Sequence, residues 1–137
     1  MGFDASTEMV RLAREPVCGR AKIHHQRFDD VAWQAEFDGV WACASLLHVP
    51  LAEFTGVAAR ITSALRPGGA LYVSFKLGHG ERISNGRNFT DHTEGSLRAA
   101  LEGEAASNTE AWVSEYVRPG RGGERWLNAI ALKATIK

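Results

Sequence analysis

The chain has 137 residues and a mass of 14.9 kDa, the size of one domain, so we predict a single domain over residues 1–137. With 45% hydrophobic and 23% charged residues, its composition excludes the disordered, collagen-like and membrane classes. The 16 basic side chains balance the 16 acidic ones, so we expect neither a nucleic acid nor a membrane as partner.

The cysteines and the N-terminus predict a cellular compartment. Cys18 and Cys43 are too few for a disulfide framework, and no Cys-x-x-Cys spacing or histidine cluster predicts a metal site. The first residues lack the basic and apolar regions of a secretory signal, and the nearly apolar run 40–47 is too short to cross a bilayer. We therefore expect a cytoplasmic protein.

The first third of the chain predicts a helix and then a strand. Ser6 is a typical N-cap for a helix that continues to about Glu15, where Pro16 ends it. The apolar side chains on one face of this helix are Met9, Leu12 and Ala13. Residues 21–28 follow as a predicted strand. This alternation of helix and strand is typical of an α/β domain with a parallel sheet.

The middle of the chain predicts a second strand–helix–strand unit. Residues 40–44 are apolar on both faces, as in a central strand that helices cover on both sides. Pro50 suits the first turn of the next helix. The apolar stripe of that helix is Leu51, Phe54, Ala58, Ile61 and Leu65. Residues 66–69, Arg-Pro-Gly-Gly, end the helix before a strand at 70–75.

The last third predicts a loop, a helix and two strands. Residues 76–91 are rich in glycine and charge and are interpreted as a loop. Asp91 or Thr93 then caps a helix that ends at Gly103. Its apolar positions are Leu97, Ala100 and Leu101. Strands at about 111–117 and 126–135 are joined by a connection short enough to make them antiparallel.

Four stretches of the sequence resemble a known family. They read GFDASTEM at residues 2–9, FDGVWACASLLHVP at 37–50, LRPGGALYVSFK at 65–76 and WLN at 126–128. In this order they resemble the small class I S-adenosylmethionine-dependent methyltransferases of the tellurite-resistance-like branch. The resemblance implies a Rossmann-like α/β sheet with a C-terminal antiparallel hairpin, S-adenosylmethionine as cofactor and a small-molecule methyl acceptor.

One part of the family pattern has no counterpart. In such enzymes a strand and a Gly-x-Gly-x-Gly-like loop precede the ribose-binding acid, and the loop lets backbone N–H groups approach the cofactor. The only comparable run, residues 78–83, lacks the sixth-position glycine and a following helix, so we interpret it as an ordinary loop. We therefore expect this chain to lack the first β–α unit and to be incomplete at its N-terminus.

The expected loss concerns the middle of the sheet. In the family the first strand lies beside the strand that corresponds to residues 40–44, so we expect that strand to have one unpaired edge. A buried unpaired N–H or C=O group costs about 1–3 kcal/mol. Three candidates for covering this edge are a strand of a second copy, a rearranged strand 21–28 and a further N-terminal segment. We favour pairing or swapping between two copies, and so a homodimer.

The resemblance implies the residues that bind the nucleoside. Asp4 takes the position of the acid whose carboxylate accepts both ribose hydroxyls. Phe28 and Asp29 take the positions that hold adenine, although a core phenylalanine followed by a turn aspartate explains them equally well. Met9, at helical spacing from Ala13, is interpreted as a core residue rather than as a cover for adenine.

We expect the methyl-transfer site at the carboxyl end of the predicted strand 40–44. The small residues that leave room there for a sulfonium and its acceptor are Ala42, Cys43, Ala44 and Ser45. Cys43 contributes shape rather than a nucleophile, because alignment of acceptor and leaving group drives methyl transfer. His48 has two interpretations: it is the general base for a hydroxyl or amine, or it bonds a backbone carbonyl and holds the loop.

Several other polar residues are candidates for the acceptor side. Five arginines are expected in two loops near the substrate mouth, either solvated or holding an anionic acceptor: Arg82, Arg87, Arg118, Arg121 and Arg125. Lys76 ends the strand 70–75 on the same side. Trp126 and Asn128, on one face of the last strand, are interpreted as structural.

Two functions are consistent with this sequence. The first is transfer of a methyl group from S-adenosylmethionine to a small acceptor, with His48 as catalytic residue, once the cofactor site is completed. The second is a catalytically inert methyltransferase-like remnant that acts as a dimeric interaction or assembly protein.

Overall fold

The structure, a computed structural model, describes residues 1–102, 106–115 and 124–135. The chain forms two compact units, Met1–Ala32 and Trp33–Lys137, and each is described by itself. Both contain helices and strands, as expected for the α/β class.

The first unit is a strand–helix–strand motif. Strand β1 (Gly2–Asp4) pairs in parallel with strand β2 (Ile23–His25), and helix α1 (Thr7–Val17) connects them. Ser6 caps α1 as predicted, because its side-chain oxygen accepts a hydrogen bond from the backbone N–H of Met9 at 3.3 Å. A parallel pair needs a crossover of this kind, and α1 supplies it.

Three expectations for this unit were wrong. Helix α1 continues through Pro16 and ends at Val17, and its C-cap Cys18 adopts a left-handed conformation with φ 48°. Proline in the last turn removes a single backbone donor, so the helix extends past it. Met9 and Leu12, predicted on the apolar face of α1, are not core residues, because they are 53% and 45% exposed. Val10 is buried instead. The predicted strand 21–28 covers only 23–25, and Phe28 belongs to a 3₁₀ turn, Phe28–Asp30.

The second unit is built on a four-stranded sheet. Its elements in chain order are strand β3 (Phe37–Ala42), a 3₁₀ turn (Leu46–His48), helix α2 (Leu51–Ala64), strands β4 (Leu65–Lys76), β5 (Gly80–Ser84) and β6 (Arg87–Asp91), helix α3 (Glu94–Glu102), and strands β7 (Ala106–Glu115) and β8 (Arg125–Lys133). The sheet order is β3-β4-β8-β7. β3 and β4 are parallel, whereas β8 is antiparallel to both of its neighbours, as predicted for the C-terminal pair.

The core of this unit lies against one face of the sheet. Helix α2 buries Phe54, Ala58 and Ile61, as its predicted stripe requires, but Leu51 is 48% exposed. The sheet residues that share this core are Leu71, Val73 and Phe75 of β4 and Leu127, Ala129 and Ala131 of β8. The helix ends one residue earlier than the stripe implied, since Leu65 already pairs with Phe37 in the sheet.

Strand β3 differs from its prediction. It ends at Ala42, so residues 43 and 44 lie beyond it, and it is an edge strand of its unit rather than a central one. Among the described residues of this unit, β3 pairs with β4 alone. Trp41 is 73% exposed and stacks on Tyr72 with ring centroids 4.0 Å apart, so no described helix of this unit covers its side chain.

Residues 80–91, predicted as part of a loop, form an antiparallel hairpin of β5 and β6. Asn85 and Gly86 make the two-residue turn with φ of 52° and 74°, the combination that a tight hairpin needs. Downstream, Thr93 caps α3 by accepting a hydrogen bond from the backbone N–H of Ser96 at 3.1 Å. Leu97 of α3 is buried as predicted. The predicted helix end at Gly103 and the arginines Arg118 and Arg121 lie outside the described residues.

Candidate functional site

Asp4 lies at the carboxyl end of β1, where parallel strands place ligand-binding groups. Its side chain is exposed, and Oδ1 accepts a hydrogen bond from the backbone N–H of Ser6 at 2.8 Å. On the neighbouring strand His25 is in register with Asp4, and its Nε2 donates to the carbonyl oxygen of Ala5 at 2.9 Å. One oxygen of Asp4 is therefore held by the backbone, and the other has no hydrogen bond within the described part of the chain.

Phe28 and Asp29 follow the next strand of the same unit. The ring of Phe28 meets the ring of Phe3 edge to face at 5.6 Å between centroids, and it is half-buried. Asp29 is exposed and lies 3.8 Å from the guanidinium of Arg27. The unit thus contains the apolar ring of Phe28 and two exposed carboxylates, Asp4 at the end of β1 and Asp29 in the 3₁₀ turn after β2. Phe28 packs as a core residue does, so the two interpretations of this pair both stand.

The segment after β3 has an unusual backbone conformation. Ala42 is 6% exposed, whereas Cys43 and Ala44 are exposed. Ala44 has φ 49°, which is costly for a residue other than glycine. The hydroxyl of Ser74 on β4 accepts a hydrogen bond from the N–H of Ala44 at 2.7 Å, and it donates to Cys43 Sγ at 3.8 Å. Ser74, which the sequence did not single out, therefore holds this turn.

His48 ends the 3₁₀ turn that follows. The preceding side chains, Leu46 and Leu47, are buried and anchor the turn, while His48 is half-buried. Its Nδ1 lies 3.0 Å from the carbonyl oxygen of Asn88 in β6, and its ring contacts the ring of Phe89 at 4.8 Å. The predicted bond to a backbone carbonyl is thus present. The other ring nitrogen, Nε2, is left for the second predicted role, that of a general base.

Two cations flank Phe89. Lys76 Nζ lies 5.1 Å from the centre of that ring and 3.3 Å from a carboxylate oxygen of Glu124. The guanidinium of Arg82 lies 4.6 Å from the ring centre and 2.7 Å from a carboxylate oxygen of Asp91. Each cation therefore already has an acidic partner, and Arg82 lies in strand β5 rather than in the predicted loop.

Asn128 links three strands of the sheet. Its side-chain oxygen accepts a hydrogen bond from the hydroxyl of Tyr72 at 2.6 Å, and its amide nitrogen donates to the hydroxyl of Ser114 at 2.9 Å. Burial raises the pKa of Tyr72, so this phenol stays protonated and acts as a donor. These contacts agree with the structural interpretation of Asn128.

The sequence held signals for part of what it missed. The Asn-Gly pair at residues 85–86 is the strongest short-range indication of a hairpin, and it precedes the strand that reaches His48. No comparable signal marks Ser74, because a serine in a strand contacts Ala44 only after β3 and β4 have paired.

Comparison with known families gives one match. A family model described as a methyltransferase domain matches residues 1–69, just over half of the 137 residues. No curated protein matches the chain. Within the described residues, no helix has the length and apolar character needed to span a membrane.

Solved structures share the fold. An S-adenosylmethionine-dependent methyltransferase from Methanosarcina mazei is 19% identical, with a TM-score of 0.83 over 98% of this chain and 82% of that one. The 1,6-didemethyltoxoflavin-N1-methyltransferase of Burkholderia thailandensis, solved with 1,6-didemethyltoxoflavin and S-adenosylhomocysteine, is 22% identical, with a TM-score of 0.77 over 96% of this chain. This chain spans 60% of the length of the Burkholderia enzyme. The shared fold confirms the predicted Rossmann-like α/β class.

Proposed function

The chain belongs to the methyltransferase domain family, and from this premise we propose that it serves the transfer of a methyl group from S-adenosylmethionine to a small-molecule acceptor. The observation that carries the proposal is Asp4: an exposed carboxylate at the carboxyl end of a parallel strand, inside the matched region, with one oxygen free of hydrogen bonds among the described residues. A carboxylate in this position suits a vicinal diol.

The residues of the first unit suit a nucleoside. In the proposal Asp4 accepts hydrogen bonds from the ribose hydroxyls, the ring of Phe28 supports adenine, and Asp29 accepts from its amino group. Phe28 presents a ring fixed by Phe3, and the carboxylate of Asp29 is 61% exposed. An aromatic face beside acceptor oxygens is the chemistry that adenine requires.

The second unit supplies the transfer chemistry in this proposal. When bound, S-adenosylmethionine supplies a methyl group on a positively charged sulfur. The small side chains Ala42, Cys43, Ala44 and Ser45 leave space for that group and for the acceptor. His48 takes the proton of the acceptor, since its second ring nitrogen has no partner among the described residues. Cys43 forms no covalent intermediate.

The finer features of the proposal concern the branch, the compartment and the assembly. We place the chain in the tellurite-resistance-like branch on its four motif stretches, and in the cytoplasm on its cysteine content. We also propose a homodimer in which a strand of a second copy pairs with the edge of β3. The supporting observation is that β3 pairs with β4 alone among the described residues of its unit.

A second candidate function is supported by the same edge and by the sheet face beside it. Trp41 and Trp112 are 73% and 44% exposed, and their positions in the strands place them on one face. Large exposed apolar side chains grouped in this way are typical of an interaction surface. An inert assembly protein would form a stable dimer and bind no cofactor.

Calorimetric titration with S-adenosylhomocysteine tests the proposal. We expect the wild-type chain to bind, and Asp4→Asn to bind about tenfold more weakly or worse, because a hydrogen bond to a charged group contributes about 1.5–3 kcal/mol. Glu8→Gln, which removes a carboxylate of the same unit that pairs with Arg11, is the matched control and keeps wild-type affinity. Equal affinity in Asp4→Asn contradicts the assignment of Asp4. A stable dimer without binding supports the inert alternative.

A further inference from the structure

We propose that the β5–β6 hairpin positions His48 by fixing its tautomer: the backbone carbonyl of Asn88 holds the imidazole proton on Nδ1 and leaves Nε2 as the proton-accepting atom. The catalytic meaning of this arrangement rests on the proposed function, in which His48 is the base. The tautomer itself is a property of the protein alone and is measured without cofactor or acceptor.

The first step concerns the hydrogen bond. The distance between His48 Nδ1 and the carbonyl oxygen of Asn88 is 3.0 Å, within the normal range. A carbonyl oxygen only accepts, so the nitrogen must carry the hydrogen. A neutral imidazole has one N–H, and the bond made by one ring nitrogen therefore determines the state of the other. Nε2 accordingly carries a lone pair.

The second step concerns the contact between the hairpin and the turn that ends in His48. Three consecutive residues of β6 contact two consecutive residues, His48 and Val49. Besides the Asn88 bond, the ring of Phe89 meets the imidazole at 4.8 Å, and the hydroxyl of Thr90 donates to the carbonyl oxygen of Val49 at 2.8 Å. Thr90 is fully buried, so water does not compete for this bond. The strand is thus fixed along its length against the turn.

The third step concerns what holds the hairpin itself. At its base the backbone N–H of His92 donates to the carbonyl oxygen of Lys76 at 3.2 Å, and the N–H of Gly78 donates to the carbonyl oxygen of His92 at 3.0 Å. The guanidinium of Arg82 on β5 pairs with Asp91 on β6 at 2.7 Å. The base of the hairpin is therefore hydrogen-bonded to the end of β4, and this connects the position of the imidazole to the sheet.

This arrangement has a consequence for the proposed transfer. When bound, S-adenosylmethionine would supply the methyl group and leave as S-adenosylhomocysteine, and Nε2 of His48 would take the proton of the acceptor. The resulting imidazolium keeps its Nδ1–H bond to Asn88, and that carbonyl dipole stabilises the new positive charge. Asn88, Phe89 and Thr90 act through His48 and are positioning residues.

Nitrogen-15 NMR of the histidine side chains in the full chain tests the inference. At a pH where the imidazoles are neutral, the two-bond correlations distinguish a protonated from an unprotonated ring nitrogen, and His48→Gln assigns the signals. We expect His48 to have Nδ1 protonated and Nε2 unprotonated. A proton on Nε2, or equal averaging of both tautomers, in the wild-type chain overturns the proposal.

Two variants test the role of the hairpin. Thr90→Val removes the buried hydroxyl at nearly constant volume, and we expect the His48 signals to change from one tautomer to a mixture. Phe89→Leu serves the same purpose if Thr90→Val does not fold. Ile83→Ser, on an exposed position of β5, is the control and keeps the wild-type spectrum. A folded Thr90→Val or Phe89→Leu chain with an unchanged single tautomer contradicts the positioning role.

The result is separable from the proposed function. If the wild-type chain does not bind S-adenosylhomocysteine but His48 has the predicted tautomer, the proposed function is contradicted and this inference is supported. The reverse outcome, cofactor binding with the proton on Nε2, contradicts this inference and leaves the family assignment intact.

Discussion

Ala44 adopts a backbone conformation that its side chain disfavours, and one hydroxyl holds it there. Its φ of 49° is stabilised by the 2.7 Å hydrogen bond from its N–H to Ser74. We expect Ser74→Ala to lower the free energy of unfolding by about 1 kcal/mol, the usual net contribution of such a bond. Urea denaturation of this variant beside Ser84→Ala, a serine on the β5 strand, measures the difference. An equal midpoint for the two variants contradicts the role of Ser74.

His92 makes the stability of the fold depend on pH. It is 3% exposed, it packs against Phe54 and Phe75, and burial lowers its pKa. Below the pKa of about 6.5 that histidine has in the unfolded chain, the unfolded state binds a proton more readily than the folded state does. The stability that neutral His92 contributes is therefore fully present above that pKa and is lost as the pH falls below it.

The pH prediction is measured by urea denaturation between pH 7.5 and 5.5. We expect the stability of the wild-type chain to fall on acidification by up to about 1.4 kcal/mol per pH unit within this window. His92→Gln has a smaller slope, and His79→Gln, which removes an exposed imidazole, keeps the wild-type slope. If the free energy of unfolding depends on pH equally in His92→Gln and in the wild-type chain, His92 is not the source of the pH dependence.

At the residue scale, the sequence predicted candidate residues but not what holds them. Asp4, Cys43 and His48 were identified from their places relative to strand ends, which local pattern and resemblance indicate. Ser74 and Asn88 were not, because their contacts join residues 30 and 40 positions apart. One is a side-chain contact across paired strands and the other is made by a backbone carbonyl, whose partner no residue type reveals.

The hairpin turn is the element on which the position of His48 depends. Gly86 has φ 74°, a conformation that costs a residue with a Cβ about 1–2 kcal/mol. We expect Gly86→Ala to destabilise the chain by about that amount. Gly56→Ala, at an exposed helical position with no atom near the added Cβ, is the matched control and stabilises by about 0.5–1 kcal/mol. Thermal unfolding measures the change in Tm of each variant. A change in Tm of the same sign in both variants contradicts the turn assignment.

At the element scale, most helices and strands were predicted within a few residues, and the differences have physical causes. The stripe Phe54–Ala58–Ile61 and the antiparallel pair of β7 and β8 follow from local patterns that packing reinforces. The strand 40–44 was predicted as central because its residues are apolar on both faces. In the unit Trp33–Lys137 it is an edge strand, and Trp41 is exposed on the sheet face opposite the core.

At the scale of the whole molecule, the edge of β3 predicts self-association. Unpaired backbone groups along an apolar strand pair readily with another strand, so we expect a dimer in light scattering coupled to size-exclusion chromatography. Hydrogen exchange then shows slow amides along residues 39–42 at high protein concentration and faster exchange on dilution. A monomer at all concentrations, with slow exchange at these amides, contradicts the dimer.

Two compact units divide the proposed roles: Met1–Ala32 contains the nucleoside residues, and Trp33–Lys137 contains the transfer residues. The single domain that length predicted stays a prediction. The central claim is that the residues Asp4, Phe28 and Asp29 of the first unit bind the nucleoside of the cofactor.

Backbone amide NMR of the full chain during titration with S-adenosylhomocysteine tests that claim most directly. We predict saturable chemical-shift changes at Asp4, Phe28 and Asp29, with one dissociation constant for the three residues. Changes confined to the exposed sheet face around Trp41 and Trp112, or no change at any of these three residues, would contradict the account.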